Sequence, residues 1–199
     1  MKKAILLGVA ALCMASCGSS SKENAIQRLP SDQISVFTSS DKQLENAYNW
    51  AKKMALSYAH DNSDPVGYWY EAALPQREAF CMRDVSHQSV GAQILGLARH
   101  NKNMFTRFVE NISEEKDWCT YWEINRYNKP APADYTNDKE FWYNLNANFD
   151  VMQACLKMYQ WTGDAGYLTD PLFTNFYEKS VNEYVHRWAL ETEKIMPER

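Results

Sequence analysis

Four polar residues near the start of a predicted helix have the chemistry of a sugar-binding site: Arg83, Asp84, His87 and Gln88. An ionised carboxylate such as that of Asp84 can accept hydrogen bonds from two neighbouring hydroxyl groups, and such charge-assisted bonds are strong. The competing interpretation is structural, because Asp is a preferred helix N-cap worth about 1 kcal/mol, Arg83 is its potential ion-pair partner, and a lone His is usually structural. We predict that all four residues bind substrate.

Aromatic residues make up 14% of the chain and gather in loops that also carry polar groups. Such loops are typical of surfaces that stack on flat ligands, and the C–H face of a sugar ring is one. We predict the following as substrate-binding residues, the last through its side-chain amide: Trp69, Trp118, Trp122, Trp142 and Asn146. The alternative is that these loops pack against the protein and that Asn146 caps a helix.

Acidic residues in the same loops could supply the chemistry. Glycoside hydrolysis normally uses two carboxyl groups, about 5 to 5.5 Å apart in retaining enzymes and about 6.5 to 9.5 Å apart in inverting ones. The candidates are Glu71, Asp84, Glu123, Asp134, Asp138, Glu140 and Asp150. From these we predict Glu123 and Asp150 as the catalytic residues, although sequence spacing does not measure a distance across a fold.

The apolar spacing predicts helices to position these residues, and no alternating strand pattern of useful length occurs. Segments 44–58, 85–98 and 149–161 are predicted to be helical, and further amphipathic stretches are predicted at 102–112 and 167–190. The second and third of these segments are apolar nearly all round, whereas their successors have a polar face. Because a helix that is apolar on all sides must be covered on all sides, this alternation predicts an all-α fold with two concentric rings, an α/α toroid.

The segment 80–88, Phe-Cys-Met-Arg-Asp-Val-Ser-His-Gln, resembles the opening of an early inner helix in the six-hairpin glycosidases. An aromatic or apolar residue, Arg-Asp, a small polar residue and Gln recur there in the same order, and Bacteroides-type lipoprotein hydrolases carry similar runs. The resemblance implies a glycoside hydrolase. It also implies that Asp84 holds sugar hydroxyls and that Arg83 orients the sugar or meets an acidic substrate group.

A complete toroid of this family contains more helices than this sequence does. Twelve helices of about 11 to 12 residues with connections of about six need roughly 210 residues, whereas this sequence contains five or six helices. We therefore expect the amino-terminal part of a longer toroid, with an uncovered apolar flank and no activity of its own. A smaller helical bundle is the alternative.

The first residues are typical of an exported lipoprotein. Two lysines, an apolar run of about eleven residues and small residues before Cys17 match a secretory signal, and the run is too short to span a bilayer, which takes about 20 residues. We predict a signal peptide at 1–16, lipidated Cys17 with a flexible tether at 17–40, and the helical domain at 41–199. This predicts an envelope protein, periplasmic or on the outer membrane, held to the membrane by its lipid.

The composition of the chain makes nucleic-acid binding and a cysteine metal site unlikely. The formal net charge of −4 makes nucleic acid an unlikely ligand, because phosphate contacts need clustered Lys and Arg. Three widely spaced cysteines, Cys81, Cys119 and Cys155, form no metal-binding motif and are predicted to be buried small residues. No cofactor or metal is predicted, and the expected partner is an oligosaccharide or polysaccharide. The alternatives are a polysaccharide lyase or sugar epimerase, which favours a His or Tyr base, and a non-catalytic glycan-binding lipoprotein.

Overall fold

The computed structural model describes residues 35–73 and 77–190. The predicted signal peptide, Cys17 and most of the tether lie outside these residues. Within them, no helix is both long and apolar enough to cross a bilayer.

Helices predominate in the described ranges. They are α1 Lys42–Leu56, α2 Met82–Ile94, α3 Ala98–Glu110, α4 Ala147–Thr162, α5 Gly166–Thr169, α6 Pro171–Lys179 and α7 Val185–Arg187. Asp41 caps α1 by accepting bonds from the backbone amides of Gln43 and Leu44. The predicted helix at 85–98 instead ends at Ile94, because the chain turns at Gly96, which has a φ of +84° that favours glycine.

Three small antiparallel sheets correct the all-α prediction. Their strands are β1 Ala59–His60 with β2 Trp69–Tyr70, β3 Ala79–Cys81 with β4 Glu123–Asn125, and β5 Tyr135–Asn137 with β6 Glu140–Phe141. Each strand has only two or three residues, which is too short to show the alternation by which strands are recognised in a sequence. The fold is therefore mixed.

The burial pattern does not support two concentric rings. The inner ring was expected to contain α2 and the outer ring α3, yet each helix has five buried residues. On α3 four of the five are apolar, including Phe105 and Phe108, and the fifth is Asn101. Helix α2 is not apolar all round, since His87, Gln88 and Gly91 are exposed. The predicted α/α toroid is thus wrong, because α2 buries one face and leaves the polar residues of its other face exposed.

The core lies where α2 packs against α3 and α4, with Trp69 and Phe80 contributed by the short strands. Met158 of α4 is completely buried in it. Helix α1 has no buried residue, and its Trp50 is 67% exposed. The described cysteines Cys81, Cys119 and Cys155 are buried and unpaired, which confirms that prediction.

Candidate functional site

Strand pairing brings three distant parts of the sequence to the beginning of α2. Strands β3 and β4 pair so that Cys81 lies opposite Glu123, and the amide of Met82 donates to the carbonyl of Trp122. On the other side of β3, the amide of Cys81 donates to the carbonyl of Ala72. The side chains of Glu71, Glu123 and the first turns of α2 therefore converge.

Asp84 lies in the first turn of α2 but does not cap it. The N-cap position is occupied by Cys81, whose side chain makes no capping bond. Asp84 is three residues further on and half-buried. The structural alternative for Asp84, that it is an N-cap, therefore does not apply, and its carboxylate faces a cavity together with Gln88, one helical turn later.

This cavity has a volume of about 380 Å³ and is called the carboxylate pocket here. Its lining residues include three acids and several other polar or aromatic residues, namely Glu71, Asp84, Glu123, Arg77, Gln88, Trp122 and Cys81. Of the predicted site residues, the pocket brings together Asp84, Gln88, Trp122 and Glu123.

Glu123 is the most deeply buried acid in the pocket. Its side chain has no exposed surface, and Arg77 Nη1 donates to its Oε2 at 2.7 Å. The other oxygen, Oε1, is buried without a hydrogen-bond partner. Burial, followed by the influence of the neighbouring Asp134, raises the pKa of Glu123 to about 7, although Arg77 opposes this shift. Glu123 can therefore hold or release a proton near neutral pH.

Glu71 has a similar but weaker environment. Its side chain is 11% exposed, with Oε1 3.4 Å from His60 Nε2 and Oε2 buried without a hydrogen-bond partner. Burial raises the pKa of Glu71, while His60 opposes the rise. The carboxylate pocket thus contains two acids whose protonated forms are favoured by burial.

The thiol of Cys81 is no nucleophile in this setting. Burial raises the pKa of Cys81 to about 12, although the backbone amides of Arg83 and Asp84 oppose the rise. A thiolate is the reactive form of cysteine, so Cys81 stays protonated near neutral pH. The reactive groups of the pocket are therefore its carboxyls.

Arg83 lies beside the pocket. Its guanidinium Cζ is 4.9 Å from the ring centroid of Trp122, so it covers one face of the indole. A cation over an aromatic face holds the ring in place. Trp122 is therefore an aromatic wall of the pocket. Arg83 contacts Trp122 but is not itself among the lining residues.

The remaining predicted residues lie elsewhere. His87 lines a neighbouring cavity. Trp69 is fully buried, with its ring stacked on that of His60 at 4.1 Å, and it is part of the core. Trp118 is half-buried with Lys179 Nζ 4.8 Å from its ring, whereas Trp142 is 60% exposed.

Asn146 and Asp150 lie together at the start of α4. The amide of Asn146 donates to the carboxylate of Asp150, and Asn146 makes no capping bond to the backbone. Neither residue lines the carboxylate pocket, so the structure does not bring Asp150 together with Glu123 there.

Sequence reasoning missed three residues of the site. Glu71 was one of seven acidic candidates, but nothing in the sequence distinguished it. Arg77 and Asp134 contact Glu123 from positions 46 residues before and eleven after it, with Arg77 Nη1 3.4 Å from Asp134 Oδ2.

No group of three or more His, Cys, Asp or Glu side chains within the described ranges is arranged to hold a metal ion. Comparisons with protein families, with curated proteins and with solved structures gave no match. Functional inference therefore depends on the geometry of the carboxylate pocket.

Proposed function

We propose that this protein is a glycoside hydrolase that uses Glu123 as its general acid. One observation carries the proposal: Glu123 has a pKa of about 7 and an unpartnered carboxyl oxygen in a pocket lined by two further acids, Glu71 and Asp84. A general acid works best when its pKa lies near the operating pH, and pairs of acids held at different pKa values are typical of glycosidases.

The other residues of the pocket have roles that follow from their chemistry. Asp84 and Gln88 hydrogen-bond sugar hydroxyls, and Trp122 stacks on the ring. Glu123 donates its proton to the glycosidic oxygen. Glu71 supplies the second carboxyl group, either attacking the sugar or activating water, according to its distance from Glu123. The resemblance of segment 80–88 to the six-hairpin glycosidases supports the binding roles of Arg83 and Asp84.

The lining favours hydrolysis over elimination or epimerisation. Those two reactions commonly use a His or Tyr base, and among the described residues of these types His87, Tyr58 and Tyr70 line the neighbouring cavity and not the carboxylate pocket. Its acids instead match the two-carboxyl chemistry of hydrolysis. We also propose, from the sequence pattern alone, that the chain is exported and lipidated at Cys17.

The test is turnover of a panel of para-nitrophenyl glycosides by the full chain and by Glu123→Gln. General acid catalysis contributes about 10²–10⁴-fold to rate, so the variant should lose at least about 100-fold in kcat. Glu178→Gln, an exposed acid of α6, is the matched control and should retain activity. The variant Asp150→Asn tests the catalytic pair predicted from the sequence, Glu123 with Asp150, against the pair proposed in the pocket, Glu123 with Glu71.

Three outcomes decide between the functions. Loss of turnover in Glu123→Gln alone supports the proposal, whereas an equal loss in Asp150→Asn supports the pair predicted from sequence. Saturable sugar binding without turnover by the unaltered chain indicates a glycan-binding protein. If Glu123 is the general acid, activity should also fall above about pH 7, because the Glu123 carboxyl group then loses its proton.

A further inference from the structure

A second cavity of about 450 Å³ adjoins the carboxylate pocket and is called the apolar cavity here. It is formed between the end of α1 and the second half of α2. Its apolar and aromatic lining includes Ala55, Tyr58, Tyr70, Leu95 and Leu97, together with the backbone of Gly91. The carboxylate pocket has three acids in its lining, whereas this cavity has one, Glu71.

The two cavities adjoin each other and share two lining residues. Glu71 and Gln88 line both, and α2 runs along both with Asp84 at one end and Leu95 at the other. Eleven residues of helix rise about 16 Å, so one face of α2 leads from sugar-binding groups to an apolar space. A single ligand lying along α2 would meet polar groups first and apolar groups next.

Gly91 is exposed on α2 and borders the apolar cavity. Gly91 lies in the interior of α2, where glycine is about 1 kcal/mol less favourable than alanine. A Cβ atom built at Gly91 would meet nothing within 4 Å. The hydroxyl of Tyr70 already donates a hydrogen bond to Asn101, so it does not need a polar partner on a ligand in the cavity. An aromatic or aliphatic group is the occupant that such a lining stabilises.

We propose that the apolar cavity is a subsite for an aromatic or other apolar aglycone, attached to the sugar that the carboxylate pocket binds. The sugar part of this inference rests on the proposed function, whereas the apolar subsite itself depends only on the cavity. The substrate class is then a glycoside of a phenol or of another apolar alcohol, held with its glycosidic bond near Glu71 and Gln88, where the cavities adjoin.

The first experiment measures binding of para-nitrophenol alone, by ligand-observed NMR, to the full chain and to Gly91→Phe. The phenyl ring of the variant should fill the cavity and weaken binding roughly tenfold, as expected when one aromatic ring is displaced from an apolar site. Ile94→Phe is the matched control, because Ile94 is 40% exposed on the same helix and does not line the cavity. Equal binding by all three proteins, or no saturable binding by the unaltered chain, would overturn the subsite.

The second experiment compares the KM values of a para-nitrophenyl glycoside and of the methyl glycoside of the same sugar. Gly91→Phe should raise KM for the aryl glycoside roughly tenfold and leave that for the methyl glycoside unchanged. An equal change for both would contradict the assignment.

The two experiments separate the two proposals. If no glycoside is turned over but Gly91→Phe alone loses para-nitrophenol binding, the hydrolase proposal fails and the apolar subsite stands. If glycosides are turned over and Gly91→Phe behaves like Ile94→Phe in both experiments, the hydrolase proposal stands and the subsite fails.

Discussion

Two buried carboxyl groups in this protein have opposite environments. Asp64 is bonded through both oxygens, one to Trp69 Nε1 at 2.8 Å and the other to Arg126 Nε and Nη2 at 3.0 and 2.6 Å. Glu123 is bonded to Arg77 through one oxygen, and its other oxygen has no partner. Burial opposes the charge of both groups.

The difference in partners reverses the pKa shift. For Asp64 the bonds from Trp69 and Arg126 outweigh burial and lower the pKa, whereas for Glu123 burial prevails and raises it. A buried carboxylate with every oxygen satisfied is a structural element. One with a free oxygen facing a cavity has capacity left for a ligand or a proton, and such groups are typical of functional sites.

The largest effect on stability is expected at the satisfied group. Asp64→Ala leaves the buried indole N–H of Trp69 without an acceptor and removes one partner of Arg126. It should lower the free energy of unfolding by roughly 2 to 3 kcal/mol, measured by urea denaturation near neutral pH. Asp64→Asn retains an acceptor and should cost less. A loss below about 1 kcal/mol in the alanine variant would mean that Asp64 is not a structural anchor.

The next effect is expected at Glu123, and it should depend on pH. The folded protein keeps the Glu123 proton up to about pH 7, whereas the ordinary pKa is 4.5. Stability from this proton is therefore fully present below pH 4.5 and is lost as the pH rises to about 7. Asp64 has the opposite sign, since its stabilisation is present above its ordinary pKa of 3.8 and is lost below it.

Glu123→Gln should therefore remove the decline between pH 4.5 and about 7. The measurement is the difference in unfolding free energy between the unaltered chain and the variant across that range. Glu178→Gln controls for the loss of one negative charge. A constant difference across the range would show that the fold does not hold the Glu123 proton.

The smallest effect is expected at the rim of the pocket. His60→Phe keeps a ring to stack on Trp69 but removes the Nε2 atom beside Glu71, which opposes the rise in the pKa of Glu71. The pKa of Glu71 should therefore rise further, as measured by NMR titration of its isotope-labelled carboxyl carbon. Unchanged tryptophan fluorescence would show that the stack remains, and an unchanged Glu71 pKa would mean that His60 has no influence on it.

Local spacing was enough to predict part of the site. Asp84 and Gln88 are four residues apart, and on a helix this spacing places two side chains on the same face. A helix was predicted at 85–98, directly after Asp84, whereas the structure begins it at Met82 and ends it at Ile94. The resemblance of segment 80–88 pointed to the same residues.

The aromatic residues show where local information ended. Trp69 and Trp122 both occur in polar loops, so the sequence predicts the same substrate-binding role for both. In the structure Trp69 is buried against His60, whereas Trp122 lines the carboxylate pocket. Which aromatic ring is covered depends on packing partners that are far away in the chain.

The sequence by itself determined the helices, the Asp84–Gln88 pair and the candidacy of Glu123, because helical periodicity and residue chemistry are local properties. Tertiary structure alone decided that the described residues form three small sheets and that Glu123, Glu71 and Asp84 share one pocket. The pairing of β3 with β4 joins segments more than forty residues apart. Strands of two or three residues carry no periodic pattern, so their pairing, and with it the protonation of Glu123, is set by the packed chain as a whole.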